Sequence, residues 1–190
     1  MQKSGLGSVA FFYFDFRDDQ KKDVHGLLSS LLVQLGDQSD AYSVILSEFY
    51  VIHRRGLQHA SDDELRECLE DMLKLPGQAP VHIIIDAVDE CPITGLPSPR
   101  EDVLGLVEKL VGLCIPDLRI CITSRPEANI VPVLKPLASC SVSLHGESGQ
   151  VQDIAEYVKW VVHTDREMQR WKATEKQLVI DTLIKKADGM

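Results

Sequence analysis

No glycine in this 190-residue chain is followed by lysine. A phosphate loop of the form G-x-x-x-x-G-K plus serine or threonine is therefore absent. In such a loop the backbone N–H groups cradle phosphates, the lysine reaches the outer ones and the hydroxyl holds Mg²⁺. Cysteine is sparse and odd in number. Cys68, Cys91, Cys114, Cys121 and Cys140 stand far apart, with no C-x-x-C and no zinc-finger spacing to histidine, which excludes a disulfide framework and a structural zinc site. The longest aliphatic-aromatic run, Val9 to Phe14, is too short for a membrane span or a signal-peptide core. Basic runs stop at the pairs Lys21-Lys22, Arg54-Arg55 and Lys185-Lys186 against a net charge of −9, so no phosphate-tracking nucleic-acid surface is expected. No internal repeat of solenoid or propeller type is visible. A reduced, cytoplasmic compartment is the expected setting.

What is present is ample apolar material, 44% of residues, in helical and strand-like patterns. After the strand-like Val9 to Asp15, the residues Val24, Leu27, Leu28, Leu31, Leu32 and Leu35 recur at helical intervals and stop at Gly36, with Asp18 and Asp19 expected at the positive end. A second helical pattern covers about Asp40 to Arg55, with Val44, Ile45, Phe49 and Ile52 on one side. Ser61-Asp-Asp-Glu64 and Ser98-Pro-Arg-Glu101 are capping boxes, the second with proline at the first helical position. They open helices carrying Leu65, Cys68, Leu69, Met72 and Leu73, and Val103, Leu106, Val107, Leu110 and Leu113. Ser141 to His145 alternates like a more exposed strand. Beyond it, Ile154, Tyr157, Val158 and Val161 predict one helical face, and Thr174 to Gln177 a cap for another carrying Leu178, Val179, Leu183 and Ile184.

Two strand ends carry the chemistry. Val81-His-Ile-Ile-Ile-Asp86-Ala-Val-Asp89-Glu90-Cys91 and Leu118-Arg-Ile-Cys-Ile-Thr123-Ser124-Arg125-Pro126 are short β-branched runs that end abruptly in polar residues. That is the pattern of strands buried on both faces meeting the ligand edge of a parallel sheet. With a helix between them they form a βαβ unit. An aspartate cannot sit inside an apolar sheet without a cation or donors, so Asp86 locates the edge. The bland alternatives are that Asp86 caps a turn or pairs with Arg125, and that Asp89 and Glu90 are solvated.

The wording Asp-Ala-Val-Asp-Glu-Cys-Pro followed by Thr-Ser-Arg-Pro-Glu resembles the Walker B and sensor 1 strands of P-loop NTPases. The likeness is to the NACHT group of the STAND class, and within it to the nephrocystin-like modules common in fungal multidomain proteins. The resemblance implies an α/β fold: a parallel P-loop NTPase-like sheet, incomplete because its first strand and phosphate loop are missing from the front, flanked by helices, with a helical extension. It implies residues 1–148 as a partial nucleotide-binding core and 149–190 as the start of the extension. It places Mg²⁺ on Asp86, water-orienting roles on Asp89 and Glu90, and nucleotide sensing on Ser124 and Arg125. The function implied is a signalling switch controlled by Mg-ATP and ADP and working through oligomerisation, with protein partners or self-association and neither nucleic acid nor membrane. This chain alone is expected not to bind nucleotide, and an ion pair of Arg125 with Asp86 or Asp89 is the more expected contact. The alternative is a nucleotide-independent interaction module or degenerate remnant of such a protein.

Other features carry less. Gly5-Leu-Gly7-Ser-Val-Ala10 imitates a dinucleotide fingerprint but precedes its strand. Cys91 beside an acidic pair is no nucleophile. His53 and His59 fit a solvated helix end and loop, and Trp160 and Trp171 fit packing anchors.

Overall fold

The computed structural model describes residues 7–143 and 148–186. The described elements are strand β1 (Ser8–Tyr13), helices α1 (Val24–Gly36), α2 (Asp40–Ile52) and α3 (Asp62–Lys74), strand β2 (Val81–Asp86), helix α4 (Pro99–Gly112), strand β3 (Leu118–Ile122) and helices α5 (Val131–Leu137), α6 (Ser148–Thr164) and α7 (Ala173–Lys186). The chain divides into two compact units, residues 1–138 and 139–190.

The first unit is an α/β layer built on one parallel sheet of order β1-β2-β3, with Ala10 opposite Ile83 and Ile83 opposite Ile120. That register aligns one apolar row across the sheet. Ala10, Phe12, Val81, Ile83 and Ile85 are buried, and Leu118, Ile120 and Ile122 continue the row half-buried. Here α1 packs on β1 and against α2, α3 and α4, with Leu27, Leu28, Leu31, Leu32 and Leu35 all buried.

The expectation of strands buried on both faces is overturned. The opposite row exposes Phe11, Tyr13 and Ile84 with Arg119 and Cys121. Only one face of the sheet carries the core, because among the described residues every helix that packs closely on it does so from the same side.

Local signals decide the helix starts. Both capping boxes form: Ser61 and Glu64 at α3, and Ser98 and Glu101 with Pro99 at α4. The serine bonds hold both glutamate carboxyls below the usual carboxylate range. Helix α1 is capped instead by Asp23, which accepts from the Gly26 N–H at 2.9 Å, so Asp18 and Asp19 lie in the preceding loop and not at the helix end. Gly36 is the last residue of α1, with a right-handed cap at Asp37. Its role is packing, since a Cβ there would lie 2.8 Å from a Leu46 methyl on α2.

Helix α2 turns Tyr42, Ile45, Leu46 and Phe49 inward and leaves Val44 and Ile52 exposed. It ends at Ile52, ahead of a 3₁₀ turn at Arg54–Gly56 in which both arginines have positive φ. His53 is buried, not solvated, with its Nδ1 2.8 Å from the Phe49 carbonyl; His59 is exposed.

The second unit is described by α6 and α7 with a 3₁₀ turn at Met168–Arg170 between them. Among its described residues Val162 and Ile180 are buried, with Ile154, Val158 and Val161 half-buried. Tyr157, Leu178 and Leu183 face outward, and so do Trp160 and Trp171, which are not the packing anchors expected. The α7 start is displaced from the expected cap: Glu175 accepts from the Lys172 N–H at 2.8 Å, while Gln177 bonds Asp181. Ser141 to Ser143 form no strand. Leu144 and His145 of that expected strand, and Gly5 and Leu6 of the glycine pattern, lie outside the described residues.

Candidate functional site

Strands β2 and β3 run parallel and end level, so their exits meet at one sheet edge. The chain leaves β2 through Ala87, whose φ of 56° and ψ of 47° are left-handed. A non-glycine residue there costs about 1–2 kcal/mol. The turn drives Val88 into the core and brings Asp89 and Glu90 back toward the edge in a 3₁₀ turn, Val88–Glu90.

Thr123 fixes this geometry. Its N–H donates to the Ile85 carbonyl at 3.0 Å and its carbonyl accepts from Val88 N–H at 3.1 Å. Its hydroxyl accepts from Ala87 N–H at 3.1 Å and donates to the Asp86 carboxylate. The sequence pattern marked the threonine as part of the strand end. Its role as the clasp between the exits becomes visible only once the strands are side by side.

Asp86 stands exposed at the strand tip with Thr123 as its bonded partner, and Arg125 pairs with Asp89, not with Asp86. Asp89 is held from both sides of its carboxylate. Oδ1 accepts from the Arg125 backbone N–H at 3.0 Å and Oδ2 lies 3.3 Å from Arg125 Nε. Its side chain is 10% exposed against 81% for that of Arg125, so the carboxylate is the fixed partner and the guanidinium the free one. Glu90 makes no ion pair among the described residues. Ser124 is exposed, and among the described residues its hydroxyl bonds the neighbouring Arg125 carbonyl, at 3.1 Å.

Beside these residues lies an open cleft of about 290 Å³ lined by Phe16, Asp89, Glu90, Ile93, Arg100, Arg125 and neighbours. Nothing in the sequence sets Arg100, near the start of α4, apart, because an arginine in a first helical turn looks like a solvated charge. It is buried. Its guanidinium donates to the Cys91 carbonyl at 3.0 Å, to Glu127 at 2.5 Å, to Asn129 at 3.3 Å and to the Asp89 carbonyl.

Cys91 is fully buried and its thiol donates to the Lys22 carbonyl at 3.2 Å. Burial pushes that thiol up to about 12, with Arg100 opposing and Asp23 and Asp102 adding to the rise. A nucleophilic role is excluded.

The edge therefore presents carboxylates at Asp86 and Glu90 and an exposed cation, Arg125. Among the described residues no three His, Cys, Asp or Glu side chains form a ready-made metal cluster. Asp86 suits a hydrated divalent ion, since Thr123 occupies one of its oxygens and leaves the other to solvent.

Comparison with curated proteins and with solved structures gave no match. A family model does match, over residues 1–125, a span that holds all three described strands and Asp86, Asp89, Glu90, Ser124 and Arg125. The chain belongs to the Nephrocystin 3, N-terminal family.

Proposed function

We propose that this chain is part of a NACHT-type P-loop NTPase, a signalling switch set by ATP or ADP, to which it contributes the Mg²⁺ and γ-phosphate side of the nucleotide site. The supporting observation is the convergence of Asp86, Glu90 and Arg125 at one parallel-sheet edge beside an open cleft. In this reading Asp86 holds Mg²⁺ through water, Glu90 orients a water and Arg125 leaves Asp89 to meet a phosphate. Asp89 serves as the resting partner of Arg125 rather than as a second water-orienting group. Protein partners or self-association in the cytoplasm would complete the switch.

The 190 residues contain no phosphate loop. Each charge-assisted bond such a loop supplies is worth about 1.5–3 kcal/mol, so the isolated chain is expected to show no saturable ATP or ADP binding at micromolar concentration. The test is calorimetry with Mg-ATP on the native polypeptide that carries these residues. One Mg²⁺-dependent site weakened at least about tenfold by Asp86→Ala is the expected result, and a polypeptide that binds no nucleotide overturns the reading.

A second reading, a nucleotide-independent interaction module, draws on the open sheet face of Phe11, Tyr13 and Ile84. It is favoured by melting that ignores nucleotide, since a ligand of the folded state raises the thermal midpoint.

A further inference from the structure

The Arg100 guanidinium is buried and paired with Glu127, and it touches both loops that carry the candidate residues. Its side chain is 6% exposed. A guanidinium has five N–H donors in one rigid plane and no way to shed its charge. Here that plane is divided between the exits: Nε and Nη2 donate to the Cys91 and Asp89 carbonyls behind β2, and Nη1 to Glu127 and Asn129 behind β3. The Arg100 backbone joins in, its N–H donating to the Pro92 carbonyl at 3.1 Å. The capping box and Pro99 set the first turn of α4 and so aim the side chain.

We infer that Arg100 is a positioning residue that locks the β2 exit to the β3 exit, holding Asp89 and Glu90 in register with Arg125. The inference rests on the reading of this edge as a Mg²⁺-nucleotide site. The Arg125–Asp89 ion pair is largely solvent-exposed on the arginine side, and such a pair holds little on its own. With Arg100 behind it, the Asp89 backbone stays in place whether or not Arg125 is engaged. A ligand can therefore draw Arg125 away without the acidic loop following.

Arg100→Lys removes the planar fork and keeps the charge. Amide hydrogen exchange is followed by NMR on this chain without nucleotide, comparing the Arg125 N–H, which bonds Asp89, with the Ile83 and Ile85 N–H groups inside the β2–β3 ladder. The expected result is exchange about tenfold faster at Arg125 with Ile83 and Ile85 unchanged, the size of effect that losing one such bond produces. Unchanged exchange at Arg125, or an increase shared equally by Ile83 and Ile85, overturns the inference, the latter because it marks a merely structural role. If Arg100→Lys does not fold, Glu127→Ala, whose carboxylate is 41% exposed, is read by the same comparison with the same two outcomes. A second arm measures Mg-ATP binding to the native polypeptide with and without Arg100→Lys. Absent binding in the unsubstituted protein removes the nucleotide reading and leaves the exchange result standing. Equal affinity with and without the substitution, where binding exists, overturns the positioning role.

Discussion

At the residue scale, two side chains report how the β2 exit is built. Ala87 occupies the left-handed region because the chain must reverse at once after Asp86, and Thr123 rewards that reversal by accepting the Ala87 N–H. Ala87→Gly is expected to raise stability by about 0.5–1 kcal/mol, since glycine enters this region without the Cβ penalty that opposes alanine. Urea unfolding checks it, and a loss of stability would show that the Ala87 methyl packs more favourably than its backbone strains.

The thiols report burial. Cys68 and Cys91 are buried, with desolvation raising them to about 11 and about 12, while Cys114, Cys121 and Cys140 are exposed. Iodoacetamide at neutral pH should label the exposed three in the native protein and reach Cys68 and Cys91 only on unfolding, as read by peptide mass spectrometry. Because both folded thiols are raised above the ordinary value of 9.0, their contribution to stability is complete below pH 9 and is lost as pH climbs toward 11 and 12. The urea midpoint should accordingly hold between pH 7 and 9 and fall beyond it.

At the element scale, the sheet treats its two edges differently. The outer edge of β1 is closed by side chains: Gln34 accepts from Phe11 N–H at 3.0 Å and donates to the Phe11 carbonyl at 2.7 Å, and Gln38 does the same for Val9 at 2.8 Å each way. One helical turn separates the two glutamines, and Val9 and Phe11 lie two positions apart in the strand, so α1 presents its amides at the spacing of a neighbouring strand. Such closure protects an edge from pairing with other chains. Gln34→Ala frees two backbone groups, and the expected cost is about 1–2 kcal/mol in chemical unfolding. An unchanged midpoint would mean that water replaces the amide without loss.

At the scale of the whole molecule, the β3 edge has no such cover among the described strands. Val81 N–H donates to the Asp117 carbonyl and Thr123 N–H to that of Ile85, so odd-numbered residues of β3 face β2 and the backbone groups of Ile120 and Ile122 point outward. An unpaired strand edge is a template for association, and Arg119 is the one charged residue within β3. Light scattering is expected to show concentration-dependent association of the isolated chain. Ile120→Pro, which removes an outward N–H and no bond to β2, is expected to reduce it. A chain that stays monomeric across the micromolar range would sink this prediction. No helix among the described residues is long and apolar enough to cross a membrane.

Features whose physics is local are legible in the order of residues alone. Capping boxes at Ser61 and Ser98 need only residues three apart, and they formed where read. The β-branched runs at Val81 and Leu118 became neighbouring parallel strands, because a helix of crossover length between two such runs allows little else. The position of Asp86 at the strand tip followed from the same abrupt change of polarity. The remainder arises from packing between distant parts of the chain. Which carboxylate Arg125 meets depends on the left-handed turn at Ala87, which swings Asp89 toward the β3 exit. Whether the second sheet face is covered depends on which side the helices take, and they left Phe11, Tyr13 and Ile84 outside. Arg100 and Gln34 look in sequence like ordinary solvated residues. Their roles exist only because packing brings distant backbone carbonyls and N–H groups within hydrogen-bond reach, and periodicity carries no record of partners so far apart along the chain.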